Sequence, residues 1–146
     1  LAKMKKSRII IRSVPMPQFY TAVNSVCAAA NQTKYSVAIQ ENIIDKFKNK
    51  HNLDIIKIPN GKLGFSDGLS IFKFRIYEEI ALPLSSFEIE NFLNLFFFIL
   101  PALSGSYLLI FPNNQIYKKN IFGLYIYILK ICISVIFINT LTIIKK

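Results

Sequence analysis

The stretch FLNLFFFILPALSGSYLLIF, residues 92–111, runs for twenty positions without a charge. As a helix rising 1.5 Å per residue it would be about 30 Å long, the thickness of a bilayer's hydrocarbon core. Pro101 and Gly105 disfavour such a helix in water, but both residue types are tolerated in membrane spans. Ser104, Gly105 and Ser106 form a patch of small residues that lets a neighbouring helix approach closely, which marks them as candidate helix-packing positions. Outward from this stretch, Pro112-Asn113-Asn114 has turn composition and Lys118-Lys119 supplies a polar cap. Residues 121–144 then form a second apolar run of 24, interrupted only by Lys130. Together the two runs predict an all-α transmembrane hairpin over residues 85–146, with spans at about 92–111 and 121–144. Ser85-Ser86-Phe87-Glu88 has the form of a capping box that would start its first helix.

Lys130 stands well inside the second span, and intramembrane charges are costly and commonly functional. Residues 92–144 contain no Asp or Glu, so its expected role is to pair with a carboxylate on a partner subunit. The two runs need external partners for another reason. A helix that is hydrophobic all round must be covered by lipid or by a large protein, and this chain has only 146 residues.

The other end of the chain is basic. Residues 1–62 hold eleven Lys and Arg against three acids (Glu41, Asp45 and Asp54), within a chain of net charge +10 and mean hydropathy +0.40. Ser7 to Val14 is a short β-branched run bounded by Pro15 and Pro17, which is a strand signal. From Gln18 to Ala30 apolar residues recur at spacings of three and four, predicting a helix. Tyr35 to Ile39 reads as a second strand and Glu41 to Lys50 as a short amphipathic helix. Asn60-Gly61 and Asp67-Gly68 have the chemistry of tight hairpin turns and predict a three-stranded meander over residues 54–77. Residues 1–84 thus read as a small basic α+β head. The alphabet is rich in Ile, Lys, Asn, Phe and Tyr, residues with AT-rich codons, so part of the hydrophobicity reflects composition.

No catalytic set stands out, and neither enzyme activity nor a cofactor is expected. His51 is the sole histidine, in a charged stretch, and a zinc site needs more Cys and His than this chain has. Cys27 and Cys132 lie in different parts of the chain and predict free thiols. Residues 61–68, GKLGFSDG, lack the order of a phosphate loop and read as turns. The basic group Lys3, Lys5, Lys6, Arg8 and Arg12 has two functional readings, contact with RNA phosphates or with anionic lipid head groups.

The segments Ala2-Lys3, Lys5-Lys6-Ser7-Arg8-Ile9-Ile10-Ile11-Arg12-Ser13-Val14, Phe19-Tyr20-Thr21, Lys34-Tyr35-Ser36-Val37 and Glu41-Asn42-Ile43-Ile44 resemble the bacterial-type and organellar large-subunit ribosomal protein L-thirty-three. The resemblance covers residues 2–46 and leaves the C-terminal part unmatched. It implies a non-enzymatic RNA-binding component with Lys5, Lys6, Arg8 and Arg12 on rRNA. Pro15-Met16-Pro17-Gln18 stands where that family has a Gly-rich turn, and Asn42 replaces its proline.

The expectation from sequence is a non-catalytic small membrane subunit of an organellar, mitochondrial-type complex. Its hairpin would dock against larger membrane subunits within the lipid bilayer of the inner membrane. The alternative is an organellar ribosomal protein of the mitochondrial matrix, binding rRNA and other ribosomal proteins through the N-terminal arm.

Overall fold

In the computed structural model, which describes residues 8–29, 35–48, 53–86 and 93–144, Ile9, Ile10 and Ile11 are all buried, none more than 1% exposed. A strand whose successive side chains point to opposite faces buries every residue only when both faces are covered. That requirement describes the whole molecule. The elements run β1 (Arg8–Ile11), α1 (Met16–Ala29), β2 (Tyr35–Gln40), a 3-10 turn (Glu41–Ile43) leading into α2 (Ile44–Lys48), β3 (Asp54–Ile58), α3 (Phe65–Phe72), β4 (Ile76–Tyr77), β5 (Glu79–Pro83), α4 (Leu93–Ile99), β6 (Leu103–Ser104), β7 (Tyr107–Ile110), β8 (Ile116–Lys119) and α5 (Ile121–Ile144).

Six strands form one sheet in the order β3-β2-β1-β5-β7-β8, while β4 and β6 form a small parallel pair of their own. All neighbours in the large sheet are parallel except β7 and β8, which are antiparallel. Ile9, Ile11, Ala38, Ile80, Leu82, Tyr107 and Leu109 face one core, shared with residues of α3, α4 and α5. Ile10, Val37, Ile39, Ala81 and Ile110 face the other, built on Phe19, Val23 and Val26 of α1 and Phe47 of α2. This is a doubly wound α/β arrangement, with helices on both faces of a mostly parallel sheet.

Three sequence expectations are corrected by this architecture. The α+β head with a separate two-helix membrane hairpin is replaced by a single α/β unit with one long apolar helix. Residues 92–111 are not a span: α4 ends at Ile99, before Pro101, and Tyr107–Ile110 is an internal strand. A helix that is capped by a protein layer and a strand buried on both faces are each as apolar as a membrane helix. An unbroken apolar run therefore does not distinguish them.

The meander at 54–77 is also replaced. Asp54–Ile58 is a strand, but Phe65–Phe72 is helix α3. Asp67 does not head a hairpin turn; its carboxylate accepts the Gly64 N–H at 2.9 Å, capping the start of the helix. The next residue, Gly68, lies inside α3 where it crosses α4. A Cβ there would stand 1.8 Å from the Phe98 carbonyl oxygen, so only glycine permits this approach.

In the region that resembles ribosomal protein L-thirty-three, β1 and β2 are parallel neighbours joined by the 14-residue α1. Phe19, Tyr20 and Thr21 lie within that helix, where the apolar spacing from Gln18 to Ala30 predicts one.

Candidate functional site

The strand order places a crevice. From β1 the chain steps outward through β2 and β3, then returns across β1 to lay β5, β7 and β8 on its other side. The connections on the two sides of the β1–β5 boundary diverge, and in open α/β sheets ligands bind outside the carboxyl ends of the strands at such a reversal. A cavity of about 560 Å³ lies there, lined by Arg12 to Pro15 after β1, Gln40 ending β2, Gly61 to Leu63 after β3, and Asn94 and Leu95 of α4. Its volume falls in the range of small-molecule sites, about 300–1,000 Å³.

Local bonding holds its floor. The Ser13 hydroxyl donates to the Pro83 carbonyl, and the Gln18 amide donates to the Leu84 carbonyl at 2.9 Å. These two contacts tie the β1–α1 turn to the end of β5 across the reversal. The Arg12 backbone N–H donates to the Ala38 carbonyl at 2.8 Å, extending the β1–β2 ladder to the rim. On the far side Gly61, at φ +92°, turns the chain in a conformation glycine adopts without strain, and Lys62 follows it into the lining. The Asn42 N–H donates to the Asn60 side-chain carbonyl at 3.4 Å, fastening that loop to the end of β2.

Arg8 and Arg12, four residues apart at opposite ends of β1, have different surroundings. Arg8 forms an ion pair with Glu78 at 2.9 Å, and this hydrogen bond holds its pKa above the ordinary value. Arg12 donates instead to the neutral Gln40 side-chain carbonyl at 2.6 Å. Its Nε is buried without a hydrogen-bond partner, and desolvation by burial pulls its pKa down. Among the described residues no carboxylate lies within ion-pair distance of Arg12. None of the ten described residues that line the cavity is acidic.

The other positions singled out by sequence do not converge on this cavity. Lys3, Lys5 and Lys6 lie outside the described residues. Ser104, Gly105 and Ser106 stand in the link from β6 to β7, not on a helix face. There the Ser104 hydroxyl donates to the Ser106 carbonyl at 2.8 Å, and both serines are buried. Lys130 is exposed in the first half of α5, with no carboxylate in ion-pair distance among the described residues. His51 also lies outside the described residues, and no group of three or more His, Cys, Asp or Glu converges among those described. Sequence reasoning did single out Arg12, but as part of a basic arm. It missed Gln40, Lys62 and Asn94, whose one local signal is that Gln40 and Lys62 sit just after apolar strand runs.

The second feature of note is α5. Asn120 caps it, its side-chain carbonyl accepting the Gly123 N–H at 2.7 Å. Only Leu124, Ile128 and Ile131 are buried along its 24 residues, and every residue from Ile136 to Ile144 is exposed. Its outward side chains include Phe122, Ile126, Leu129, Ile133, Ile136 and Phe137, all more than half exposed. Mean hydropathy reaches 2.4, and the helix is long and apolar enough to cross a membrane.

Compared with protein-family models, curated proteins and solved structures, the chain matches none.

Proposed function

We propose that this chain is a membrane-attached α/β module that binds a small ligand at the carboxyl edge of its sheet. The observation that carries the reading is the 560 Å³ cavity at the strand-order reversal, walled by loops from three parallel strands and the start of α4. Such an edge gathers side chains from segments distant in sequence and leaves them free of the sheet's own hydrogen bonding. Loop residues on a rigid scaffold are where binding groups concentrate.

Attachment is supported by α5. A surface helix of a soluble domain is polar on its outer side, whereas this one is apolar on both sides. Its serine and threonine hydroxyls make no demand on water: Ser134, Thr140 and Thr142 donate to the carbonyls four residues back, at 2.9, 2.8 and 2.9 Å. Satisfying polar groups internally is the condition for residence in lipid. Lys130 carries its charge on a long apolar stem, which lets the ammonium reach toward a head-group layer.

The test is a thermal-shift screen of the full chain in detergent against a panel of phosphorylated and neutral metabolites, repeated with Asn94→Trp. Asn94 is exposed on the crevice wall, so a tryptophan there fills the cavity from outside the core. A ligand that raises Tm in the parent and loses its effect in Asn94→Trp supports the reading. Ligands whose stabilisation survives that substitution unchanged would place binding elsewhere and overturn it.

A further inference from the structure

We infer that the crevice takes a ligand bearing a phosphate or diphosphate group, with the anion seated on the Arg12 guanidinium and met from the opposite wall by Lys62. The inference rests on reading the carboxyl edge as the binding edge, and adds the chemical class of what binds.

The argument starts from what a half-buried arginine requires. A guanidinium carries five N–H donors in a planar fork and stays charged at any physiological pH. Withdrawing it from water is costly unless its donors and its charge are met. Arg8 shows how this chain meets that cost in an ordinary structural setting, by a carboxylate at 2.9 Å. Arg12 has no such partner among the described residues: one of its terminal nitrogens donates to the neutral Gln40, and no carboxylate stands within ion-pair distance of it. The Gln40 contact orients the fork without neutralising it. A planar donor fork with no carboxylate partner among the described residues, set beside an open cavity, is complementary to a bidentate oxyanion.

Lys62 is the second observation. It comes from a different loop, after β3, and lines the same cavity. Two cations from separate loops face one space, and the described lining places no carboxylate between them. Like charges held together repel, so their convergence costs stability unless an anion is there to compensate. The remaining polar lining, Ser13, Gln40 and Asn94, supplies neutral hydrogen-bonding groups for the uncharged part of a ligand, and Val14, Leu63 and Leu95 supply apolar surface. A phosphate-bearing organic molecule fits that mixture better than a bare inorganic ion, because half of the wall would otherwise contact nothing but water.

The phosphate has two sources: a soluble phosphorylated compound, or a lipid head group presented to the crevice by the membrane that α5 engages. The experiment separates them. Binding of inorganic pyrophosphate to the full chain in neutral detergent micelles is measured by titration calorimetry, and binding of vesicles is measured by flotation, with phosphatidate included in or left out of neutral lipid. Parent, Arg12→Lys, Arg12→Met, Lys62→Gln, Asn94→Trp and Lys57→Gln are compared. Lys57 is exposed on β3 at 3.5 Å from Glu41 and does not line the cavity, so it controls for overall charge.

The expected result is pyrophosphate binding that weakens about tenfold in Lys62→Gln and by more in Arg12→Met, since Arg12 supplies charge-assisted hydrogen bonds as well as charge. Arg12→Lys is expected to weaken it as well, because an ammonium cannot make the bidentate contact. Lys57→Gln is expected to leave it unchanged. Lys62 is exposed on a loop, so its variant reports on binding even where an Arg12 variant fails to fold. A soluble source is indicated when pyrophosphate binds without phosphatidate affecting flotation, and a lipid source when phosphatidate strengthens flotation in an Arg12-dependent way.

Absence of pyrophosphate and phosphatidate binding overturns the inference, as does equal weakening by Lys57→Gln and Lys62→Gln. If a neutral ligand still binds and is displaced by Asn94→Trp, the phosphate inference alone has failed. If pyrophosphate binds but is insensitive to Asn94→Trp, the reading of the carboxyl edge fails with it.

Discussion

Tyr107 begins β7 and is 2% exposed, yet it carries a hydroxyl into the core. That hydroxyl donates to the Ala102 carbonyl at 3.0 Å and accepts the Ser104 N–H at 3.2 Å, so it closes the β6–β7 link from inside. Burial pushes its pKa up to about 12 from the ordinary value of 10.0. A raised folded-state pKa means the native form resists losing the proton. The stabilisation is complete below pH 10 and is lost as pH climbs through about 12. Tyr35 and Tyr77 are shifted the same way, chiefly by burial, and add to the alkaline fall. Tyr107→Phe strands two buried backbone groups and is expected to lower stability by about 1–2 kcal/mol at neutral pH. It should also flatten, without abolishing, the fall in stability between pH 10 and 12. Guanidinium unfolding at a series of pH values reads both effects, and parallel pH profiles for parent and variant would contradict this account.

Between elements, the tightest contact is the crossing of α3 on α4. Gly68 of α3 meets the Phe98 backbone, with ideal Cβ distances of 1.8 Å to its carbonyl oxygen and 2.8 Å to its carbonyl carbon. Phe72 and Phe98 complete the crossing with ring centroids 5.2 Å apart. Backbone cannot rotate out of the way as a side chain can, so Gly68→Ala must push the helices apart. It is expected to cost about 2–3 kcal/mol, at the upper end of overpacking penalties. Gly105→Ala is the comparison: its Cβ would stand 3.9 Å from the Glu78 carbonyl oxygen, ordinary contact, and its unfolding midpoint should stay near the parent's. Comparable losses in the two variants would show that the helix crossing is looser than described. The elements legible in sequence were those with local patterning. A strand at Arg8–Ile11, a helix at Met16–Ala29 and a long helix at Ile121–Ile144 stand where a β-branched run, helical spacing or a long apolar run broken only by Lys130 place them. The helix at Phe65–Phe72 was not legible, because Asp67-Gly68 has turn chemistry and its glycine is explained only by the neighbour it packs on.

At the scale of the molecule, a basic chain of net charge +10 carries a helix whose outer face is apolar, so two forces act toward an anionic membrane. They differ in salt dependence: charge attraction is screened within about 8 Å at physiological ionic strength, while burial of apolar surface is not. Flotation of the full chain with vesicles is expected to persist in high salt. Replacing Ile136 and Phe137 by Glu, at positions 65% and 64% exposed and beyond the last buried residue of the helix, should leave the far-UV spectrum intact. The residual binding of that variant should depend on anionic lipid and disappear in high salt. Salt-resistant binding by the doubly substituted chain would show that α5 is not the anchor.

Sequence alone determined the contrast between a basic beginning and an apolar end, and the helix at 121–144. Each is a property of residues adjacent along the chain. Tertiary structure alone decided that Leu93–Ile99 folds as a helix and Tyr107–Ile110 as an internal strand, because the protein layers that bury them are built from segments far away in sequence. It also decided that Arg12, Gln40 and Lys62 share one cavity. Their meeting depends on the order in which parallel strands are laid beside one another, and strand order is a pairing of distant segments that no local periodicity encodes.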